Sequence, residues 1–272
     1  GRLTEGDLID VEEESGRLFC NEDQRLSEFV NVESIDFLTK NALDDVSVVY
    51  VCGVNNCIIG KTEDKNGRSV LEERFPLCRG GELVLSKDEY GEFYQEMDTL
   101  GVGRNSITAY MKPYLNKNVE VKVLDIGGDG IYERDLNENE EANVQFTVLD
   151  LAKGGFKESF PLLLSGKEKV KETPLLFDEQ YNIIVNLRLN ETVTIPGGNF
   201  QGRELAEQEF DSLFLGGADF ETYITLDDLQ KDKIIVLALS EGIPDDFEEY
   251  VNTLDVKALT EKYQDKAEVR FE

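Results

Sequence analysis

The sequence predicts an α+β fold, a discontinuous ferredoxin-like subdomain (βαβ…βαβ) formed by both chain ends and carrying a β-rich inserted subdomain. Three observations predict it. Residues 233–272 read as strand, helix, strand. Residues 1–59 read the same way. Between them lies a stretch of different texture, with alternating β-branched residues and frequent turn signals. The expected division is 1–59 plus 219–272 for the split subdomain and 60–218 for the insertion. Right-handed crossovers make two such units sharing one sheet a low-cost topology. The rival arrangement is a run of consecutive domains whose ends do not pair.

Leu8, Ile9, Asp10 and Val11 predict a short strand ahead of the acidic patch Glu12, Glu13, Glu14. Residues 17–29 fit neither period. Asn31 is an N-cap candidate, and behind it Val32, Ile35, Leu38 and Ala42 fall at helical spacing. The β-branched run from Val46 to Cys52 predicts a strand, and Asn55-Asn56 turns it into Cys57, Ile58 and Ile59. In the insertion, Asn66-Gly67 marks a turn and 82–85 a strand. Ser86 with Glu89 forms a capping-box pattern, predicting a helix that turns Tyr90, Phe93, Met97 and Leu100 inward and stops at Gly101. Residues 107–115 suit a strand or a short helix, since Pro113 excludes a long one. Strands are expected at Val119, Val121, Val123, at Val144, Phe146, Val148, at 183–189 and at 193–195. A loop follows at 196–199, then a helical turn within 204–210, and Gly216-Gly217 punctuates the end. Tyr223 to Thr225 suits a short strand, with Thr225 capping a turn at 226–229. The unbroken run Ile234 to Leu239 suits a strand buried on both faces. Phe247, Tyr250, Val251, Leu254 and Ala258 form a helical stripe. Ala267, Val269 and Phe271 alternate with Glu268, Arg270 and Glu272, as in a strand with one wet side.

The chain has 272 residues, 40% of them hydrophobic and 31% charged, which fits a folded protein with a substantial core. Its 57 acidic and 28 basic residues give a net charge of −29. Such a surface repels phosphate backbones and anionic lipids, so nucleic acid is excluded as a partner, while cationic peptides and metal ions are attracted. There is no histidine, which removes the usual general base, the usual zinc ligand and every Ser-His or Cys-His nucleophile pair. There is no tryptophan, the ring on which sugars often stack. The four cysteines, Cys20, Cys52, Cys57 and Cys78, lack C-x-x-C spacing, which excludes a thioredoxin motif or zinc ribbon. They allow two disulfides in three pairings, including Cys52 with Cys57 across the turn 53–56, or four buried thiols. No signal peptide and no apolar run near the length of a membrane span is visible. Gly1 and termini that coincide with element edges read as a piece excised from a larger protein.

The loop from Asp125 to Glu133, continuing to Asp135, Asn137 and Asn139, is the strongest candidate site. Clustered Asp and Asn on a glycine-rich turn can supply the oxygens that calcium requires, with Asp125, Asp129, Asp135 and Asn137 as candidate ligands. Neither Asp125 nor Asp135 as first residue puts both a glycine and a glutamate where an EF-hand needs them. An ordinary solvated connection between strands is the plainer reading. Gly127-Gly128-Asp129-Gly130 is similar to the GGDG of lipid and NAD kinases but lacks their surrounding pattern. Gly101-Val102-Gly103 reads as a helix stop, and Tyr90, Phe93, Tyr94 and Met97 as core. No serine, cysteine or lysine has a visible activating partner, so no catalytic residue is assigned.

A split strand-helix-strand pair around a β-rich insertion resembles the extracytoplasmic domain of MacB/FtsX-type ABC transporter permeases. Leu85-Ser86-Lys87-Asp88-Glu89-Tyr90 with Leu100-Gly101-Val102-Gly103, then 144–149, then 223–229, resemble successive passages of that family. The resemblance implies a non-catalytic domain on the extracytoplasmic side of the membrane. It would be joined to flanking transmembrane helices and a cytoplasmic ATPase, would relay conformational change, or would bind an exported or sensed peptide or lipoprotein. The alternative is a secreted or surface-anchored binding protein, stabilised by calcium or not. A carboxylate-based hydrolase is the third reading.

Overall fold

Alternation with a period of two dominates the chain and builds two β-rich units, Gly1–Tyr114 and Leu115–Glu272. The computed structural model describes residues 20–101, 105–263 and 266–272. Unit 1 contains β1 (Phe29–Asp36), β2 (Ser47–Cys52), β3 (Asn55–Lys61), β4 (Glu63–Asp64), β5 (Ser69–Arg74), β6 (Gly81–Ser86), β7 (Phe93–Met97) and β8 (Asn105–Met111). They form two four-stranded sheets, ordered β4-β5-β1-β8 and β3-β2-β6-β7. In β1, β2 and β6 every second side chain points inward, and one core draws on both sheets. Val32 of β1 and Ile107 and Met111 of β8 join Val48, Tyr50, Leu83, Leu85 and Met97 of the other sheet. Tyr50 is fully buried, yet its hydroxyl is satisfied by donating to the Met97 carbonyl at 2.8 Å. Phe75 meets that ring edge-on at 5.3 Å.

Two disulfides, Cys20–Cys57 and Cys52–Cys78, staple unit 1. Cys52 and Cys57 do not bridge their own turn. The β2–β3 register sets Cys57 opposite Tyr50 and Cys52 opposite Asn55, so each thiol meets a partner from elsewhere. Cysteines paired in this way persist in oxidising surroundings, and the chain is an extracellular or secreted one.

Unit 2 contains β9 (Leu115–Gly127), β10 (Gly130–Asp135), β11 (Glu140–Asp150), β12 (Gly155–Ser165), β13 (Val170–Leu175), β14 (Glu179–Leu189), β15 (Val193–Ile195), β16 (Gly198–Phe200), β17 (Arg203–Leu205), β18 (Gln208–Phe210), β19 (Leu213–Ile224), β20 (Lys233–Ser240) and β21 (Val269–Phe271). A nine-stranded sheet follows the order β10-β9-β20-β19-β14-β11-β12, with β13 also on β9 and β21 also on β20. The two helices among the described residues, α1 (Phe247–Thr253) and α2 (Val256–Lys262), have seven residues each. They lie over β19, where Thr260 Oγ1 accepts the Asp219 N–H at 2.9 Å. From Ile234 to Ser240 every residue of β20 is buried, as its apolar run predicts. β19 meets β20 only at Gly216 and Gly217. A Cβ on Gly217 would stand 1.8 Å from the Val185 carbonyl oxygen, and one on Gly216 2.5 Å from that of Leu239. Both residues also have positive φ, so this crossing needs glycine twice over.

The ferredoxin-like expectation is overturned. Its decisive unit, 233–272, is not βαβ, because β20 and β21 pair antiparallel, Ile234 opposite Phe271, and a βαβ crossover joins parallel strands. The helix between them exists but breaks at Leu254 and Asp255 into α1 and α2, capped by Asp246 and Asp255. The predicted helix after Asn31 is β1, in which Val30, Val32, Ser34 and Asp36 all point inward. The predicted helix after Ser86 does not form either. Glu89 has φ of 69°, which turns the chain out of helical geometry. Tyr90 then donates to the Asp36 carboxylate at 2.8 Å, and β7 follows. Within 204–210 the expected helical turn is the ends of β17 and β18, each in its own small hairpin. The strand expected at Leu8 to Val11 lies outside the described residues. Strands expected at 46–52, 82–85, 119–123, 144–148, 183–189 and 193–195 all appear as β2, β6, β9, β11, β14 and β15.

Both disulfides lie in unit 1, at sequence separations of 37 and 26, and loops of that size imply about 3–4 kcal/mol of stabilisation each. Reduction of both is therefore expected to lower the unit 1 transition in scanning calorimetry by roughly 30 °C or to abolish it. The transition of unit 2, which has no cysteine, should stay in place. Equal shifts of both transitions would contradict this.

Candidate functional site

At one end of the unit 2 sheet the strand ends enclose a cleft of about 420 Å³. β9 and β20 run parallel with Ser240 opposite Asp125, so their C-terminal ends arrive side by side. The turn after β10, the start of β11 and the end of β14 complete the walls, with the loop after β20 as the rim.

Arg134 of β10 organises this cleft. It donates to Asp125 through Nε and through Nη2, the latter at 3.1 Å. It donates to Glu140 from Nη1 at 2.6 Å and Nη2 at 2.9 Å, and to the Asp135 carbonyl from Nη1 at 2.9 Å. A guanidinium has five N–H donors, and all five are engaged. Arg134 is thus a strut between two walls, with no donor left for an anion. Glu140, whose side chain is 5% exposed, also accepts from the Asn137 backbone N–H at 2.8 Å and from Asn137 Nδ2 at 3.1 Å. Burial by itself would push the Glu140 carboxyl up, but the Arg134 and Asn137 hydrogen bonds outweigh it and hold the group below its ordinary value.

The remaining surface is acidic and apolar. The walls carry four carboxylates, Asp125, Glu140, Glu191 and Glu241, against the single guanidinium. Glu191 accepts from Asn139 Nδ2. At the rim Glu241 Oε1 accepts from Lys262 Nζ at 2.6 Å and from the Tyr263 hydroxyl at 3.1 Å. Leu189 and Leu215 are buried in the floor, and Ile243 and Tyr132 stand exposed at the mouth.

Of the four calcium candidates the structure brings two to the cleft. Asp125 faces Arg134, and Asn137 braces Glu140. Asp129 sits in the turn between β9 and β10, where its carbonyl accepts the Tyr132 hydroxyl at 3.3 Å. Asp135 points elsewhere, to Lys122 and, at 3.0 Å, to Lys169. Two of the three carboxylates expected to gather on a cation, Asp125 and Asp135, are thus engaged by cations of the chain itself. Among the described residues no group of three or more His, Cys, Asp or Glu side chains is arranged to hold a metal. Sequence reading missed Arg134, Glu140, Glu191 and Glu241. Arg134 had a signal, as the one basic residue within 125–141. Glu191 and Glu241 had none, since the fold assembles them from distant segments.

No protein-family model matches the chain, and no curated protein does. Among solved structures it is similar to a streptococcal ancillary pilin at 11% identity and TM-score 0.32, covering 79% of this chain and 62% of that one. The Bacillus anthracis TIE protein aligns at 12% identity and TM-score 0.25, over 80% of this chain and 51% of that one. The Lactobacillus rhamnosus shaft pilin SpaA aligns at 9% and 0.22, over 80% and 99%. The chain spans about three fifths of the ancillary pilin and about half of the TIE protein. Similarity at these scores carries no argument about function.

Removing Arg134 would leave Glu140 buried with its main cation gone, at a cost of about 3–5 kcal/mol. Arg134→Met should lower the unit 2 melting temperature at neutral pH, and Glu140→Gln in the same chain should recover part of the loss. The pair contributes fully above the unfolded carboxylate value of about 4.3, and its contribution drains away as pH falls through the depressed folded value. Wild type and Arg134→Met should accordingly converge in acid, as read by urea unfolding between about pH 7 and about pH 3. A gap that persists at low pH would contradict the assignment.

Proposed function

We propose that the chain is a secreted or surface-anchored, non-catalytic binding protein whose unit 2 cleft takes the cationic side chain of a peptide. The observation that carries this reading is a concave site whose four carboxylates face two cations of the chain, the saturated Arg134 guanidinium and, at the rim, the Lys262 ammonium on one oxygen of Glu241, which leaves an excess of negative charge. A lysine or arginine side chain has an apolar stem and a charged head. Leu189, Leu215 and Ile243 suit the stem, and Glu191 and Glu241 the head. Ligand sites of this type are mostly apolar with a few placed polar groups. The net charge of −29 draws cations toward the whole surface and speeds encounter.

The extracellular setting supports this reading through the two disulfides. The permease reading stood on a βαβ layout that the fold lacks, so the proposal follows the alternative. No helix of the described residues is long and apolar enough to cross a membrane. Non-catalytic action is supported by chemistry. Without histidine, general-base work at neutral pH would fall to a carboxylate with a raised pKa, and Glu140 is shifted the other way.

Isothermal titration with a capped alanine-rich peptide carrying one central lysine checks the proposal. The lysine peptide should bind, and the same peptide with norleucine should bind at least about fivefold more weakly. Glu191→Gln with Glu241→Gln should weaken the lysine peptide by about tenfold, and about 0.5 M salt should weaken it too. Equal binding of both peptides, or indifference to the double substitution, would overturn the reading.

A further inference from the structure

Unit 2 treats charge differently on two of its surfaces. Around β9 and β10 the side chains alternate in sign. Lys233 meets Glu120, Glu120 meets Lys122, Lys122 meets Asp135, and Asp135 meets Lys169. The outward face of β14, β11 and β12 is the opposite case. Its rows, fixed by strand register, are Asn186-Asn143-Leu163, Ile184-Gln145-Pro161 and Asn182-Thr147-Ser159. The alternate residues of β14 and β11, among them Val144, Phe146, Ile183 and Val185, are buried, as are Leu162 and Leu164 of β12, which assigns the named rows to the outer side. Every position in these rows is exposed or half-buried, and none is charged. The opposed pair Glu141 and Arg188 bounds this zone at one end, and along its β14 side stand the carboxylates Asp219 and Glu221 of β19, opposite Ile184 and Asn182. At the other end stand two exposed aromatics, Tyr223 opposite Gln180 and Phe156 opposite Leu149.

Solvation alone does not favour such a surface. Acidic side chains are the commonest means of solvation in this chain, 57 of 272 residues, and they are absent from these rows. Asn, Gln, Ser and Thr share one property that carboxylates and ammonium groups lack, since each both donates and accepts hydrogen bonds. A ligand hydroxyl also does both. Neighbouring strands repeat at about 4.8 Å and same-face residues along a strand at about 6.7 Å, so the face is a regular grid in which six of the nine row positions are amides or hydroxyls and Leu163, Ile184 and Pro161 are apolar. The side chains are already aligned across it, with Gln145 Nε2 donating to Ser159 Oγ at 2.9 Å and Asn182 Nδ2 to Asp219 at 2.8 Å. Tyr223 and Phe156 supply flat apolar ledges, the complement of the C–H face of a sugar ring.

We propose that the outward face of β14, β11 and β12 binds an uncharged polysaccharide. A polyanionic glycan or nucleic acid is excluded by the net charge of −29, with no cation in the rows to offset it. A second copy of the chain meets the same repulsion. A neutral chain of hydroxylated rings is the polymer that this surface can satisfy without desolvating a charge.

Affinity electrophoresis in native gels tests this, with a neutral α-glucan, β-glucan, mannan, galactan or chitooligosaccharide in the gel. At least one should retard the protein, and the retardation should be the same at about 50 mM and about 500 mM salt. Gln145→Glu and Asn143→Asp keep size and lie on an outer face, yet they remove donors and add charge. Each should weaken retardation about tenfold with an unchanged melting temperature, and Tyr223→Ala should do likewise. The cleft substitution Glu191→Gln should leave it unaltered, which separates this face from the cleft. Retardation by none of the five polymers, or retardation that these three substitutions leave intact, would overturn the proposal.

Discussion

Unit 2 depends on the parallel pairing of β9 with β20. The two strands run side by side from Lys233 opposite Asn118 to Ser240 opposite Asp125. Everything from β10 to β19 is the connection between them, so the pair forms only when the chain has folded back over most of the unit. Long-range pairing of this kind is slow to form and costs loop entropy before any contact offsets it. The interior of β20 gives no help with register. Ile234 to Leu239 are apolar and buried whichever face they take, so a slip by one residue would exchange like for like. Register has to come from the polar ends. Lys233 Nζ meets Glu120 at 2.9 Å at one end, and Ser240 opposite Asp125 closes the other. Both ends have a further consequence, because Glu120 anchors the ion-pair ladder and Asp125 anchors Arg134 in the cleft.

Strands with strict alternation were legible in the sequence, and so was the doubly buried β20. The helices expected in the first half were not, and the reason is physical. In 30–36 the inward residues are Val, Val, Ser and Asp. The apolar members of that set are too few to display a period of two, while Val32, Ile35 and Leu38 display a period near 3.6 by chance. Ser34 and Asp36 are inward because the fold supplies partners. Ser34 Oγ is 2.7 Å from the Leu43 carbonyl, and Asp36 accepts from the Thr39 N–H at 2.6 Å and from Tyr90. A buried polar residue that is satisfied from a distance looks like an outward one in the sequence. The same holds for Ser86 and Glu89, whose capping-box spacing is a local signal that β6–β7 pairing overrides, Leu85 opposite Phe93.

The cleft was half legible. The loop 125–141 stood out by composition and does line the site through Asp125, Asn137 and Asn139. Its acids were legible as oxygen ligands or as a solvated connection, but a count of acids takes no account of the guanidinium among them. Arg134 reverses the meaning of Asp125 by taking up its oxygens from the adjacent strand. Glu191 and Glu241 come from just beyond the ends of β14 and β20, and only the sheet order brings them near. The outward amide rows are a matter of register alone. Asn143, Gln145, Asn182 and Asn186 are unremarkable in sequence and become a surface only when β11 and β14 are set residue against residue.

The acid surplus therefore has a different consequence at each place. Its field extends about 8 Å from each charge at physiological salt, so 29 excess negative charges spread over unit surfaces leave little of the chain outside it. Where a wall is concave and apolar, as in the cleft, that field can hold a cation it has attracted, since a desolvated charge interacts more strongly than a wet one. Where the surface is neutral, the field adds nothing to an uncharged ligand and opposes an anionic one. Affinity there must come from many weak, matched hydrogen bonds, each worth about 1 kcal/mol net. One such bond holds nothing, but a polymer that offers the same hydroxyls at each repeat can make several at once and rebind locally when one breaks. A repetitive face is useful only to a repetitive ligand, and a neutral one only to a ligand without charge.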